Sequence, residues 1–357
     1  MMLLKLLLYL ICNIPSEVFC KNVVNLSKLY EYSHKEYDIK FTDAIHERLV
    51  YFSKASSLAS CITYYDLVPG LELNNGGCPP HIKFCQDNDI NPTAKNTKIV
   101  QVLEAEKGEL GTGYVMVDYE KEVIVVVFRS STTSQDWFSD FTIQPTDFEP
   151  LSQNEYWKLV NTGKINKCKD CQIHRGVSKF TESLGKDFLE KIECILERYP
   201  NFKIVITGHS LGAALASMVG IELRLKGYYP LVLTYAPPRI FNTNLKEWVD
   251  ELFETEHIHQ EIIDTGEIQF VWGYFRVVHK NDYIPLVPPF YKVAGLEIFI
   301  RKIDLPHEKN DLDYCGTTHE SFMPSETDTK LSGLVDQLLH TYEHSAYFVY
   351  MNGCKDF

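Results

Sequence analysis

A serine hydroxyl becomes a useful nucleophile only when a base can take its proton and an acid holds that base in place. The stretch Gly208-His209-Ser210-Leu211-Gly212 offers such a serine. It follows the apolar run at 202–207 and precedes small residues at helical spacing: Ala213, Ala214, Ala216, Ser217 and Gly220. A strand, a G-x-S-x-G turn and a helix form a nucleophile elbow, whose tight turn lifts the serine clear of a sheet. A Cβ at either flanking glycine would collide with the neighbouring strand or helix.

On such an elbow the partners come after the serine in the order carboxylate, then histidine. Asp282 fits the first role. It stands in Arg276-Val277-Val278-His279-Lys280-Asn281-Asp282-Tyr283-Ile284-Pro285, just past the end of a buried strand, and Pro285, Pro288 and Pro289 stiffen the loop beyond it. Open α/β sheets place their sites at such strand ends. The later histidines are His307, His319, His340 and His344. His307 and His319 have polar, acidic neighbours and read as surface loop residues, and His340 reads as a charge ending a helix. His344 lies among aromatics in Tyr342-Glu343-His344-Ser345-Ala346-Tyr347-Phe348, which would partly desolvate and hold an imidazole. A tetrahedral intermediate also needs donors for its oxyanion. The N–H of Leu211, opening a helix, is one, and the loop Phe128-Arg129-Ser130-Ser131-Thr132-Thr133 should supply another.

Several elements must position these groups. Val123-Ile124-Val125-Val126-Val127-Phe128 is a β-branched run without alternation, as in a strand buried on both faces. Segments 99–103, 113–117, 231–235 and 275–278 read as further strands, and 71–97 as an extended loop. Residues 43–60, 182–198 and 331–339 carry helical periodicity. Strands alternating with helices imply a largely parallel sheet covered on both faces. The acidic stretch 249–268 reads as a solvated excursion, with an acidic rim at the site mouth as the alternative.

The 357 residues are 45% hydrophobic, enough for a sizeable core, and carry a formal net charge of -13. That charge argues against nucleic acid as a partner and against anionic membranes as a permanent home. It suits secretion and brief adsorption to uncharged lipid. Residues 1–20 read as a secretory signal: Lys5, then an apolar run too short to span a bilayer, then Val18 and Cys20 ahead of a cleavage point. The remaining 21–357 read as one domain. Asn25-Leu26-Ser27 is a glycosylation sequon. Removing the signal leaves eight of the ten cysteines. Cys78 and Cys85 bracket a short Pro-containing loop that they could close. Cys168 and Cys171 read as a small disulfide loop rather than half a zinc site, since no second C-x-x-C exists.

In this order the chain holds Phe-Arg-x-Ser after a Val-rich strand, His174-Arg175-Gly176-Val177, Gly208-His209-Ser210-Leu211-Gly212, Tyr235-Ala236-Pro237-Pro238-Arg239, His279-Lys280-Asn281-Asp282, and Glu343-His344-Ser345-Ala346-Tyr347. From about residue 43 onward it thereby resembles the class 3, filamentous-fungal-type triacylglycerol lipases. The resemblance implies an α/β-hydrolase fold, with Ser210 as nucleophile, Asp282 as acid and His344 as base. It implies Leu211 and Ser131 as the oxyanion residues. It implies bridges from Cys61 to Cys354 and from Cys168 to Cys171, and a structural role for His174. Cys194, on a helix face read as apolar, would be a buried thiol, and Cys315 would be free or bonded to it.

Residues 134–141 look like the lid of that family. Trp137, Phe138 and Phe141 would make its apolar face, which could cover the site or turn outward at a lipid surface. Departures are Ser130 and Ala236 where glycine is frequent, Phe241 and Val177 at positions of different size, and a longer acidic insertion. The implied reaction is ester hydrolysis by a secreted monomer on a lipid ester, triacylglycerol first, at a transient lipid–water interface and without metal or cofactor. A phospholipase A1 or feruloyl-type esterase is the alternative within the family. A lipase fold without activity that binds a partner is the alternative outside it.

Overall fold

The computed structural model describes residues 37–63, 66–103, 113–130, 144–288, 290–317, 341–351 and 354. The expected signal, the Asn25 sequon, Ser131, the Trp137, Phe138 and Phe141 lid, His319, the helix at 331–339 and His340 lie outside the described residues.

Helix α1 is Asp43–Leu58, capped by the Thr42 hydroxyl, which accepts from the Ile45 N–H. Three strands come next: β1 Thr97–Leu103, β2 Gly113–Asp118 and β3 Val123–Phe128. After them stand β4 Pro145–Asp147, helix α2 Gln153–Asn161 and β5 Gln172–His174. Helix α3 is Arg175–Arg198, broken at Gly185, where φ is 70°. Then come β6 Lys203–His209, helix α4 Leu211–Leu225 and β7 Leu231–Tyr235. Helices α5 Thr243–Leu252 and α6 Thr255–Thr265 precede β8 Gly273–His279, β9 Leu296–Ile300 and β10 Leu312–Gly316. The one-turn helix α7 Tyr342–Ser345 leads into the short hairpin β11 Ala346–Tyr347 and β12 Val349–Tyr350.

Eight strands form one sheet in the order β1-β2-β3-β6-β7-β8-β9-β10. Its centre, from β3 through β9, is parallel, and its two margins are antiparallel. This is the α/β-hydrolase fold. The unalternating run of β3 has the expected cause. Val123, Val125 and Val127 enter the core under α1, whereas Ile124, Val126 and Phe128 enter the core under α3, α4 and α5. Close approach of α4 to the sheet depends on Gly220, where a Cβ would meet the Val232 side chain.

Some expectations need correction. The helix expected over 182–198 begins earlier, at Arg175, and the loop at 71–97 contains short helical turns. Cys194 is an exposed free thiol rather than a buried one, and it does not bond Cys315, which is buried. It sits about 200° round α3 from Ile192, away from the packed face. The acidic stretch, read as a solvated excursion, does expose most of its acids, but it is built from the end of α5 and from α6, which buries Thr255, Ile258, His259 and Ile262 on its other face. It packs beside Gly273, the first residue of β8, so it lies at the end of the sheet opposite the site and forms no acidic rim there.

Candidate active site

Strand β6 ends on His209 and α4 begins on Leu211, so Ser210 must turn the chain by itself. It does so at φ 55° and ψ -122°, a conformation L residues rarely adopt. Its N–H donates to the Tyr235 carbonyl on β7 at 3.0 Å, which ties the turn to the sheet. Space at the elbow is limited by backbone. A Cβ on Gly208 would strike the Gly212 carbonyl, and one on Gly212 would lie 2.9 Å from the Arg129 carbonyl oxygen and closer still to that of Phe128. The two glycines of the motif are therefore steric requirements.

Asp282 sits three residues beyond the end of β8, fully buried. Its backbone N–H donates to the His279 carbonyl at 3.0 Å, closing the turn. One carboxylate oxygen accepts from the Ile284 N–H at 3.0 Å, and the other accepts from the Tyr347 hydroxyl. Both lie 3.1 Å from Nδ1 of His344. Burial alone would raise this carboxyl's pKa. The charge and hydrogen bond of His344, with the Tyr347 and Ile284 donors, outweigh it and hold the group below its ordinary value.

His344 lies in α7, whose N-cap Thr341 accepts the His344 N–H at 3.3 Å. Its Nε2 stands 3.1 Å from the Ser210 hydroxyl. Three residues separated by 62 and 134 positions thus meet in one buried line. A carboxylate can only accept, so Nδ1 carries the proton and the Nε2 lone pair faces the serine. Such a line can take a proton from the hydroxyl as its oxygen attacks a carbonyl carbon. Leu211 is the first residue of α4, where backbone N–H groups have no partner within the helix.

Other expected residues take different places. His307 is buried, not a surface residue: its Nδ1 accepts from the Phe348 N–H at 3.2 Å, and its carbonyl accepts from Nε2 of His46 at 2.8 Å. Its acidic neighbours in sequence say nothing of these partners from α1 and the C-terminal segment. It does not reach the serine line. His174 caps α3, its Nδ1 accepting from Gly176 N–H, which is a structural task. Cys61–Cys354, Cys78–Cys85 and Cys168–Cys171 are bonded. Ser130 avoids positive φ, whereas Ala236 adopts φ 49°. Sequence alone gave Tyr347 no role. Its spacing of three from His344 was the available signal.

No group of three His, Cys, Asp or Glu able to hold a metal occurs among the described residues.

The profile of the family described as Lipase (class 3) matches residues 125–292. A Saccharomyces cerevisiae protein named "Putative lipase LIH1" is 54% identical over 322 residues, covering 90% of this chain and 98% of the relative. "Secreted mono- and diacylglycerol lipase 2" of Gibberella zeae is 25% identical over 222 residues, 57% of this chain and 52% of that protein. Among solved structures, the Lip2 lipase of Yarrowia lipolytica superposes with a TM-score of 0.67 at 22% identity, over 90% of this chain and 99% of that one. With 54% identity over 322 aligned residues, along nearly the full length of the yeast relative, the chain belongs to the class 3 lipase family of ester hydrolases.

Proposed function

We propose that this chain hydrolyses lipid esters, triacylglycerols first among them, through a covalent acyl-serine. Ser210 Oγ attacks the ester carbonyl carbon while His344 Nε2 takes its proton and Asp282 stabilises the resulting imidazolium. The carbonyl oxygen becomes an oxyanion held by the Leu211 N–H and by Ser131. As the intermediate collapses, the C–O bond to the alcohol breaks and His344 returns the proton to the departing oxygen. Water then attacks the acyl-serine by the same route and releases the acid. The observation that carries this reading is the single imidazole at 3.1 Å from both the Ser210 hydroxyl and the Asp282 carboxylate. No step calls for a metal or an organic cofactor.

The lid assigned to Trp137, Phe138 and Phe141 would make the rate depend on a lipid–water interface. The secretory reading of residues 1–20 agrees with three disulfides and with a relative named as secreted. The protein would act as a monomer outside the cell. The test is hydrolysis of monomeric and emulsified esters of several chain lengths by purified protein beside Ser210→Ala. The expected result is hydrolysis lost in the variant and a rise in wild-type rate once emulsion forms. Equal slow rates for the two proteins would end the reading.

A further inference from the structure

Helix α7 is a single turn, too short to be stable on its own, and its carbonyls have no further helix to bond. Yet it carries His344. Two other histidines meet its backbone. Nδ1 of His279 lies 2.8 Å from the Glu343 carbonyl oxygen, and Nε2 of His209 lies 2.7 Å from the His344 carbonyl oxygen. These are the carbonyls on either side of the His344 Cα. Both rings are buried, at 0% and 2% exposure. His209 ends β6 next to Ser210, and His279 ends β8 three residues before Asp282. The strands that bear the other two members of the catalytic line thus each extend one imidazole to the base's backbone.

A carbonyl oxygen only accepts, so a hydrogen bond to it needs a proton on the ring nitrogen that faces it. At His209 that proton is on Nε2. Nδ1 stands 2.9 Å from the Ser130 hydroxyl, which also donates to the His209 carbonyl oxygen at 2.8 Å. At His279 the other nitrogen, Nε2, faces the Lys302 carbonyl at 2.8 Å. A neutral ring has one N–H for these two acceptors.

We propose that His209 and His279 are positioning residues that fix the base, each donating a ring N–H to one of the two carbonyls flanking the His344 Cα. Held at both peptides, the imidazole of His344 keeps its reach to Ser210 and Asp282 together. This inference rests on the catalytic line proposed above.

Asparagine and glutamine separate the two ring nitrogens. The asparagine amide nitrogen can take the place of Nδ1, and the glutamine amide nitrogen that of Nε2. The proposal therefore predicts opposite orders at the two positions. For a soluble short-chain ester, kcat of His279→Gln is about 10-fold or more below that of His279→Asn, with KM alike. At position 209 the order reverses, and His209→Asn falls below His209→Gln by a similar factor. Circular dichroism melts of all four variants accompany the kinetics. A role limited to packing would lower kcat equally for both isosteres at each position, and that result, or the uncrossed order, overturns the proposal. Because each comparison is between two variants of one site, general loss of stability does not produce the crossing. Ser210→Ala is the separate control: if it still hydrolyses the ester, the nucleophile assignment fails, whatever the histidine variants do.

Discussion

Both carboxylate oxygens of Asp282 stand 3.1 Å from Nδ1 of His344, so the carboxylate grips the imidazole symmetrically rather than through one oxygen. This fixes the tautomer, since only a protonated Nδ1 is compatible with two facing acceptors. Asp282→Asn removes the charge and puts an N–H₂ where one acceptor stood. The imidazole then gains by accepting at Nδ1, which places its proton on Nε2, toward the serine. The expected loss in kcat is about four orders of magnitude. The same variant leaves the Ile284 N–H and the Tyr347 hydroxyl with a weaker acceptor, so a lower thermal midpoint accompanies the kinetic loss. Activity within tenfold of wild type would show that another group acts as the acid.

The backbone of Ser210 makes a second prediction. At φ 55° and ψ -122° it occupies a region that disfavours any Cβ. Ser210→Ala and Ser210→Gly both lack the nucleophile and should both be inactive. They should differ in stability, because only glycine relieves the strained turn. Urea denaturation is expected to place Ser210→Gly about 1 kcal/mol above Ser210→Ala. Equal stabilities would mean that the elbow stores no strain at this residue.

How far the sequence exposed this arrangement depended on where each signal lay. The elbow, the loop of Asp282 and the aromatic setting of His344 are local patterns, and the structure brings the three side chains they single out into one line, each 3.1 Å from the next. Strands β3, β6, β7 and β8 were legible as apolar runs. Strand β9 was not, because Glu297 interrupts it. That charge is buried only because Arg276 lies opposite it in register on β8, and no single-segment pattern contains the pair. Helix α6 was hidden in the same way: its many acids masked the buried face at Thr255, Ile258, His259 and Ile262. Side chain to backbone contacts leave still less trace. His209 meets a carbonyl 135 residues away, and nothing about that carbonyl is encoded in a residue type.

Acid should unfold the protein ahead of ordinary carboxylate titration. Burial lowers the pKa of His174 and His307 to about 4 each, and burial with the nearby charge of His344 lowers that of His209 to about 3. The usual value is 6.5. An unfolded chain therefore binds more protons at these sites than the native one. Their contribution is fully present above 6.5 and is lost as pH falls toward 4 and below. Asp282, held below 3.8, works in the same direction at still lower pH, since its contribution is lost as pH falls through its depressed folded value. The urea midpoint should accordingly fall steadily from about pH 7 to about pH 4. A midpoint that stayed level across that range would contradict neutral burial of these rings.

The bridge from Cys61 to Cys354 spans 293 residues and ties the turn after α1 to the segment beyond the base. Along the same seam Ser53, Ser57 and Ser60 donate to the carbonyls of Tyr347, Tyr350 and Met351. These three hydroxyls hold the segment only while it stays docked, whereas the bridge also limits the unfolded chain. Cys61→Ser with Cys354→Ser is therefore expected to cost about 2–5 kcal/mol of stability. The loss should reach the catalytic line as well, because Tyr347 both lies in this seam and donates to Asp282. Heating the double variant should abolish ester hydrolysis below the temperature at which far-ultraviolet circular dichroism reports loss of the sheet, as His344 leaves Ser210 before the core opens. If activity and secondary structure are lost together, at the wild-type temperature, then the bridge contributes nothing to holding the base.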